Sequence, residues 1–209
     1  MSEPGILDDR PLIAILRGLA PDKAAAVGDA LCEAGLRALE VPLNSPHPLE
    51  SIRILRDRLD GRVLVGAGTV LTADQAAAVA DAGGEMIVSP NTDTGVIART
   101  KALGLLSVPG FLTPSEAFSA LAAGADALKL FPAEIAGRAG LKAMRAVLPA
   151  ETRIYPVGGI SPESIADWHA AGATGFGIGS ALFTPDMTAG EIARRAGSFL
   201  AAWQALPSD

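Results

Sequence analysis

The feature that most constrains this chain is a repeat. Five times a helical stretch ends at glycine and a short apolar segment follows almost at once. Ala34-Gly35 leads to Ala38-Leu39-Glu40-Val41, and Ala82-Gly83-Gly84 leads to Met86-Ile87-Val88. Gly104 precedes Leu105–Val108, Gly124 precedes Ala127–Leu130, and Gly172 precedes Gly175–Ile178. Glycine just past a helix accepts the left-handed conformation that closes the last turn. The apolar segments are too short for helices and read as buried strands. Three more strands, Leu12–Leu16, Val63–Val65 and Ile154–Val157, complete a set of eight, starting near 12, 38, 63, 86, 105, 127, 154 and 175.

Helices fill the intervals. Thr72 with Gln75 and Thr113 with Glu116 have the spacing of capping boxes, and Pro21, Pro114 and Pro162 suit first helical positions. Strand and helix in alternation require a parallel sheet with right-handed crossovers. Eight such units close most naturally into an α/β fold, a (β/α)8 TIM barrel, here a single domain over 11–209 behind a short N-terminal segment, 1–10. An open doubly wound sheet is the alternative, but it leaves edges and rarely needs eight regular units.

Composition removes several function classes. The net charge is −6 with no basic run, which argues against a nucleic-acid partner and requires any bound anion to be held locally. The lone cysteine, Cys32, excludes an internal disulfide and fits a reducing cytoplasm. The start lacks a signal pattern, and no apolar run reaches the roughly 18 residues of a membrane span, so a cytoplasmic location without membrane contact is expected. His47 and His169 have no ligand spacing, so no histidine metal site is expected.

In such barrels chemistry sits at the C-terminal ends of the strands. Lys129 stands in an apolar strand between Gly124 and Pro132. It either snorkels to water from the strand end or is desolvated into a nucleophilic amine. Glu40 is a second charge in an apolar strand, either a structural ion-pair partner or a general acid/base. Arg17 closes strand 1 and is either a surface residue or a planar fork for a carboxylate. Thr69 follows Gly66-Ala67-Gly68, a plain turn or a close ligand approach with a hydroxyl at hand. Gly158-Gly159 and Gly179-Ser180 end strands 7 and 8, where such barrels build phosphate sites from backbone amides.

Together the segments Leu39–Pro46, Gly66–Val70, Ser89–Asn91, Leu128–Glu134 and Val157–Pro162 resemble the KDPG/KHG aldolase family in order and spacing, over about Pro11 to Ala201. The resemblance implies a metal-independent class I pyruvate aldolase on a (β/α)8 barrel, with no cofactor. It implies a phosphorylated 2-keto-3-deoxy sugar acid as substrate, pyruvate as product and a homotrimer. It assigns Lys129 as the Schiff-base lysine, Glu40 as proton carrier, and Arg17 and Thr69 to the carboxylate end. Gly159, Gly179 and Ser180 fall to the phosphate, and Val157 borders the sugar hydroxyls. The branch acting on the gluconate epimer resembles Leu-Arg-Thr where this chain has Leu43-Asn44-Ser45, and tends to carry threonine at 157; both differences point to the galactonate epimer. The Phe131–Glu134 run resembles the gluconate branch and leaves dual activity open. Two rivals stand beside this: a phosphosugar isomerase with Glu40 as base and no covalent lysine, and a non-catalytic phosphate-binding barrel.

Overall fold

The structure, a computed structural model, describes residues 11–207 apart from Asp60. The segment expected over 1–10 lies outside the described residues. The strands are β1 (Leu12–Ile15), β2 (Ala38–Pro42), β3 (Leu64–Gly68), β4 (Met86–Val88), β5 (Leu106–Val108), β6 (Gly110–Phe111), β7 (Leu128–Leu130), β8 (Ile154–Pro156) and β9 (Phe176–Ile178). Between them run α1 (Pro21–Ala34), α2 (Pro48–Leu59), α3 (Ala73–Asp81), α4 (Thr94–Ala102), α5 (Pro114–Ala122), α6 (Ala133–Arg145), α7 (Ile165–Ala170) and, last, α8 (Ala189–Gln204).

Every pairing among the described strands is parallel, and the sheet curls. Six strands run in the order β5-β4-β3-β2-β1-β9, and three more in the order β6-β7-β8. The fifth expected strand appears as two pieces, β5 paired with β4 and β6 paired with β7. Pro109 lies between them and has no amide to give a ladder. Its carbonyl still accepts from Lys129 N at 2.9 Å, and Ser107 O accepts from Asp126 N at 2.9 Å, so β5 and β7 stay in register. On the far side, Val157 and Gly177 form an isolated parallel bridge between the end of β8 and β9.

Local sequence explains the joints. Gly35, Gly83, Gly104, Gly124 and Gly172 all adopt positive φ, between 74° and 108°, as helix-ending glycines should. Pro21 and Pro114 open their helices, and Pro162 opens a short 3-10 turn, Pro162–Ser164. Thr113 and Glu116 close a full capping box. Thr72 closes half of one: its hydroxyl takes Gln75 N, but Gln75 Oε1 takes Leu71 N at 2.7 Å. Helix α6 is broken at Gly137, with φ 66° and ψ 166°.

Alternation along the strands sorts the core into two clusters. Leu12, Ala14, Leu39, Val65, Leu128 and Ile178 join a large cluster with helix residues such as Leu31, Leu55 and Phe199. Ile13, Ala38, Leu64, Met86, Val88, Val108, Ala127 and Tyr155 form a smaller one. Neighbours in sequence thus divide between the two faces of the curled sheet, as a period of two requires. The smaller cluster lies on the concave face, and the same period places Glu40, Gly66 and Lys129 there, two residues beyond Ala38, Leu64 and Ala127.

Candidate active site

Lys129 is 6% exposed and Glu40 2% exposed. Both are buried residues, so Lys129 is not a solvated surface lysine. Burial pushes the Lys129 ammonium down from the ordinary lysine range; the Glu40 charge opposes that shift and Arg17 adds to it. Burial pushes the Glu40 carboxyl up, opposed by Lys129 and then Arg17. Both shifts favour the neutral forms: a free amine and a proton-bearing acid. Among the described ion pairs none joins Glu40 to Lys129, so they interact through space rather than as a closed salt bridge. Glu40 Oε2 is buried without a hydrogen-bond partner. An orphaned carboxylate oxygen is costly, and such groups concentrate where a ligand completes them.

Phe131 follows Lys129 at the strand period, and its ring centroid lies 5.0 Å from Lys129 Nζ. That contact stabilises the cationic state of the nitrogen by about 0.5–2 kcal/mol. The ring is a partner that the alternation of β7 could have revealed, since residues i and i+2 share a face.

Arg17 is exposed at the end of β1, and its Nη1 donates to Asn44 Oδ1 at 2.9 Å. The next amide, Gly18 N, donates to the buried Ser45 Oγ at 2.9 Å. Leu43 N in turn donates to Gly68 O at 2.8 Å. The loop after β2 is therefore a shelf that sets the direction of Arg17. Asn44 thus braces the Arg17 guanidinium by accepting from it. Sequence reading noticed Asn44 only as an absence.

Arg17, Val157, Gly158, Gly159, Gly179 and Ser180 line one cavity of about 440 Å³. Ile15, the register partner of Glu40, is also a wall, which ties the cavity to the buried pair. Arg17 belongs to both, since its charge acts on Glu40 and Lys129 alike. Gly158 and Gly159 have φ of 112° and 66°. A methyl at Gly158 would lie 2.8 Å from Glu134 Cδ, and one at Gly159 would lie 2.7 Å from Glu134 Cγ. The first turn of α6 thus packs its glutamate on the bare backbone of these two residues. Glu134 lines the cavity too, and sequence reading gave it no role; an acid in the first turn of a helix that follows Lys129 was the available signal.

Thr69 is not among the residues that line this cavity. It follows β3 with φ 56°, a conformation that a β-branched residue adopts at a cost of about 1–3 kcal/mol. Lys23 is exposed and donates from Nζ to Pro185 O at 2.6 Å. That bond holds the loop after β9, whose Pro185 is part of the cavity wall.

The chain as a whole is similar to known proteins. The family model for KDPG and KHG aldolase matches residues 5–195. The chain belongs to the KDPG and KHG aldolase family. It is 48% identical over 198 residues, 95% of this chain and 93% of the relative, to a probable 2-dehydro-3-deoxy-6-phosphogalactonate aldolase of Rhizobium meliloti (strain 1021). It is 44% identical to the 2-dehydro-3-deoxy-6-phosphogalactonate aldolase of Escherichia coli (strain K12), over 93% of this chain and 95% of that one. A solved native KDPGal structure superposes with a TM-score of 0.91 at 44% identity, covering 93% of this chain and 94% of its own.

Proposed function

We propose that this aldolase-family chain cleaves 2-dehydro-3-deoxy-6-phosphogalactonate to pyruvate and glyceraldehyde 3-phosphate through a Schiff base on Lys129. The observation that carries the reading is a buried lysine beside a buried carboxylate on the concave face of the sheet, with an arginine-bearing cavity at hand. Two relatives with that name support the galactonate epimer. Val157 supports it physically: an apolar wall offers no hydrogen bond to a sugar hydroxyl. The same reading takes the two sheets as one closed (β/α)8 barrel, for which the Pro109 linkage and the Val157–Gly177 bridge are the support. It extends to a cytoplasmic homotrimer; exposed Phe118 and Ile135 offer apolar surface for assembly.

The steps balance without an added redox or metal reagent. Neutral Lys129 Nζ adds to the C2 ketone, and the carbinolamine loses water to give a protonated imine. Glu40, directly or through a water, takes the C4 hydroxyl proton. The C4 oxygen forms a carbonyl, the C3–C4 electron pair moves into the iminium, and glyceraldehyde 3-phosphate departs. The enamine takes a proton at C3, and water releases pyruvate and the amine. Arg17 orients the carboxylate, with Thr69 beside it at the end of β3. Gly158, Gly159, Gly179 and Ser180 hold the phosphate, so remote binding energy positions the breaking bond.

Borohydride reduction in the presence of pyruvate, with peptide mass spectrometry, tests the covalent step. The expected result is an adduct on the Lys129 peptide that Lys129→Ala abolishes. An active protein with no adduct would overturn the Schiff base and turn attention to isomerase chemistry at Glu40. Turnover of the two purified epimers then decides the substrate, with the galactonate form expected to be faster.

A further inference from the structure

The Glu40 carboxylate lies directly on the backbone of Gly68. A methyl group at Gly68 would occupy the same space as that carboxylate, since its three nearest atoms are Glu40 Oε2, Cδ and Oε1. The overlap with Oε2 is far inside van der Waals contact, so the two groups exclude each other. Gly68 pairs with Pro42 across the β2–β3 ladder, two residues beyond the Glu40–Gly66 pair, and two residues keep the same face of a strand. Glu40 therefore reaches along the inner face toward the strand end and rests over the next inward position of β3. The oxygen that rests there, Oε2, is the one with no hydrogen-bond partner.

Conformational freedom does not explain this glycine. Gly68 is absent from the residues with positive φ, and it stands in regular strand pairing, where glycine is ordinarily unfavourable. What requires glycine here is the absence of a side chain. We infer that Gly68 is a positioning residue: its bare Cα is the seat that places the unpartnered Glu40 oxygen where the substrate hydroxyl gives up its proton. The inference rests on the aldolase reading above and adds to it a steric determinant of the base. The following residue, Thr69, carries the left-handed φ of 56° that turns the chain away immediately after the seat.

The seat and its occupant can be separated by a double-mutant cycle. Gly68→Ala in the wild-type background is expected to lower kcat by about 100-fold, the usual effect of a displacement near 1 Å in a reacting group. It should also move the acidic limb of the kcat/KM profile, because the carboxylate is forced into a new environment. Pyruvate trapping on Lys129 should persist, since the lysine is untouched. In a Glu40→Asp background the shorter side chain vacates the seat, and Gly68→Ala should then cost less than about threefold. An equal cost in both backgrounds would overturn the inference. If Gly68→Ala lowers the melting temperature too far for assay, the comparison passes to Glu40→Ala. There the same substitution should be tolerated with little loss of Tm, and an undiminished loss would show that the methyl meets something other than Glu40. Failure of wild-type turnover or trapping would instead strike the aldolase reading, so the two failures are distinct.

Discussion

The concave face of the sheet has two levels that are built differently from the same strands. At the lower level Ile13, Ala38, Leu64, Met86, Ala127 and Tyr155 fill the interior with side chains. Two residues further along the strands the positions become Glu40, Gly66 and Lys129, and beyond them Arg17, Gly68 and Gly179. The lower level is a packed core. At the upper level β2, β3 and β7 replace that volume with charge or with glycine, while Ile15, Val88, Val108 and Val157 stay apolar on the neighbouring strands. The outward face of the strands does not register the change: Leu39 and Val41, or Leu128 and Leu130, are apolar at both levels and fully buried against the helices. The helices therefore pay for the stability of both levels, and the inner face is free to change every second residue. A charged side chain can be kept dry here because the glycines beside it leave the space it needs.

This division is tested most severely at Glu40. Glu40→Gln keeps the shape and removes the base, so kcat is expected to fall by about 10²–10⁴-fold while pyruvate trapping continues. In the proposed role Glu40 must be ionised to act, and burial raises its pKa. Activity should accordingly fall with decreasing pH at a value above the ordinary carboxylate range near 4.3, and the variant should lack that limb. A variant with unchanged kcat would erase the functional difference between the levels. The converse test is Leu64→Ala at the lower level, where Leu64 is 8% exposed. It is expected to cost about 2–5 kcal/mol in stability by urea unfolding while KM and kcat stay within about twofold. The smallest effect is expected at the rim. Gly159→Ala places a methyl against Glu134 in a left-handed conformation. KM for the phosphorylated substrate should rise about tenfold, with a much smaller change in kcat, because phosphate binding is remote from the breaking bond.

Much of this was legible in the sequence because the joints are local. The five glycine helix ends, the proline starts and the apolar runs each depend on a few consecutive residues, and the observed strands begin within about one residue of those expected. The split at Pro109 was missed because β6 is defined by its partner in β7, not by its own two residues. The site was legible to the same extent. Lys129 and Glu40 declare themselves as charges in apolar strands. The contacts that direct them do not, because they join distant segments: Asn44 to Arg17, Glu134 to Gly158 and Gly159, and Glu40 to Gly68. Thr69 was named for its hydroxyl, whereas its distinguishing property is its backbone conformation.

The join between β8 and β9 has a consequence of its own. Its strand contacts are the Val157–Gly177 bridge and the bonds between Thr174 and Ile154, where the Thr174 hydroxyl accepts from Ile154 N in place of a ladder carbonyl. Gly158 and Gly159 lie just past one side of this join, and Gly179 and Ser180 just past the other. On the proposed phosphate role, an anion held by both pairs would be a removable rivet across this weld. Each catalytic cycle would tighten that weld on binding and loosen it on release, so the shell of the enzyme would be mechanically most complete while the carbon–carbon bond is being broken.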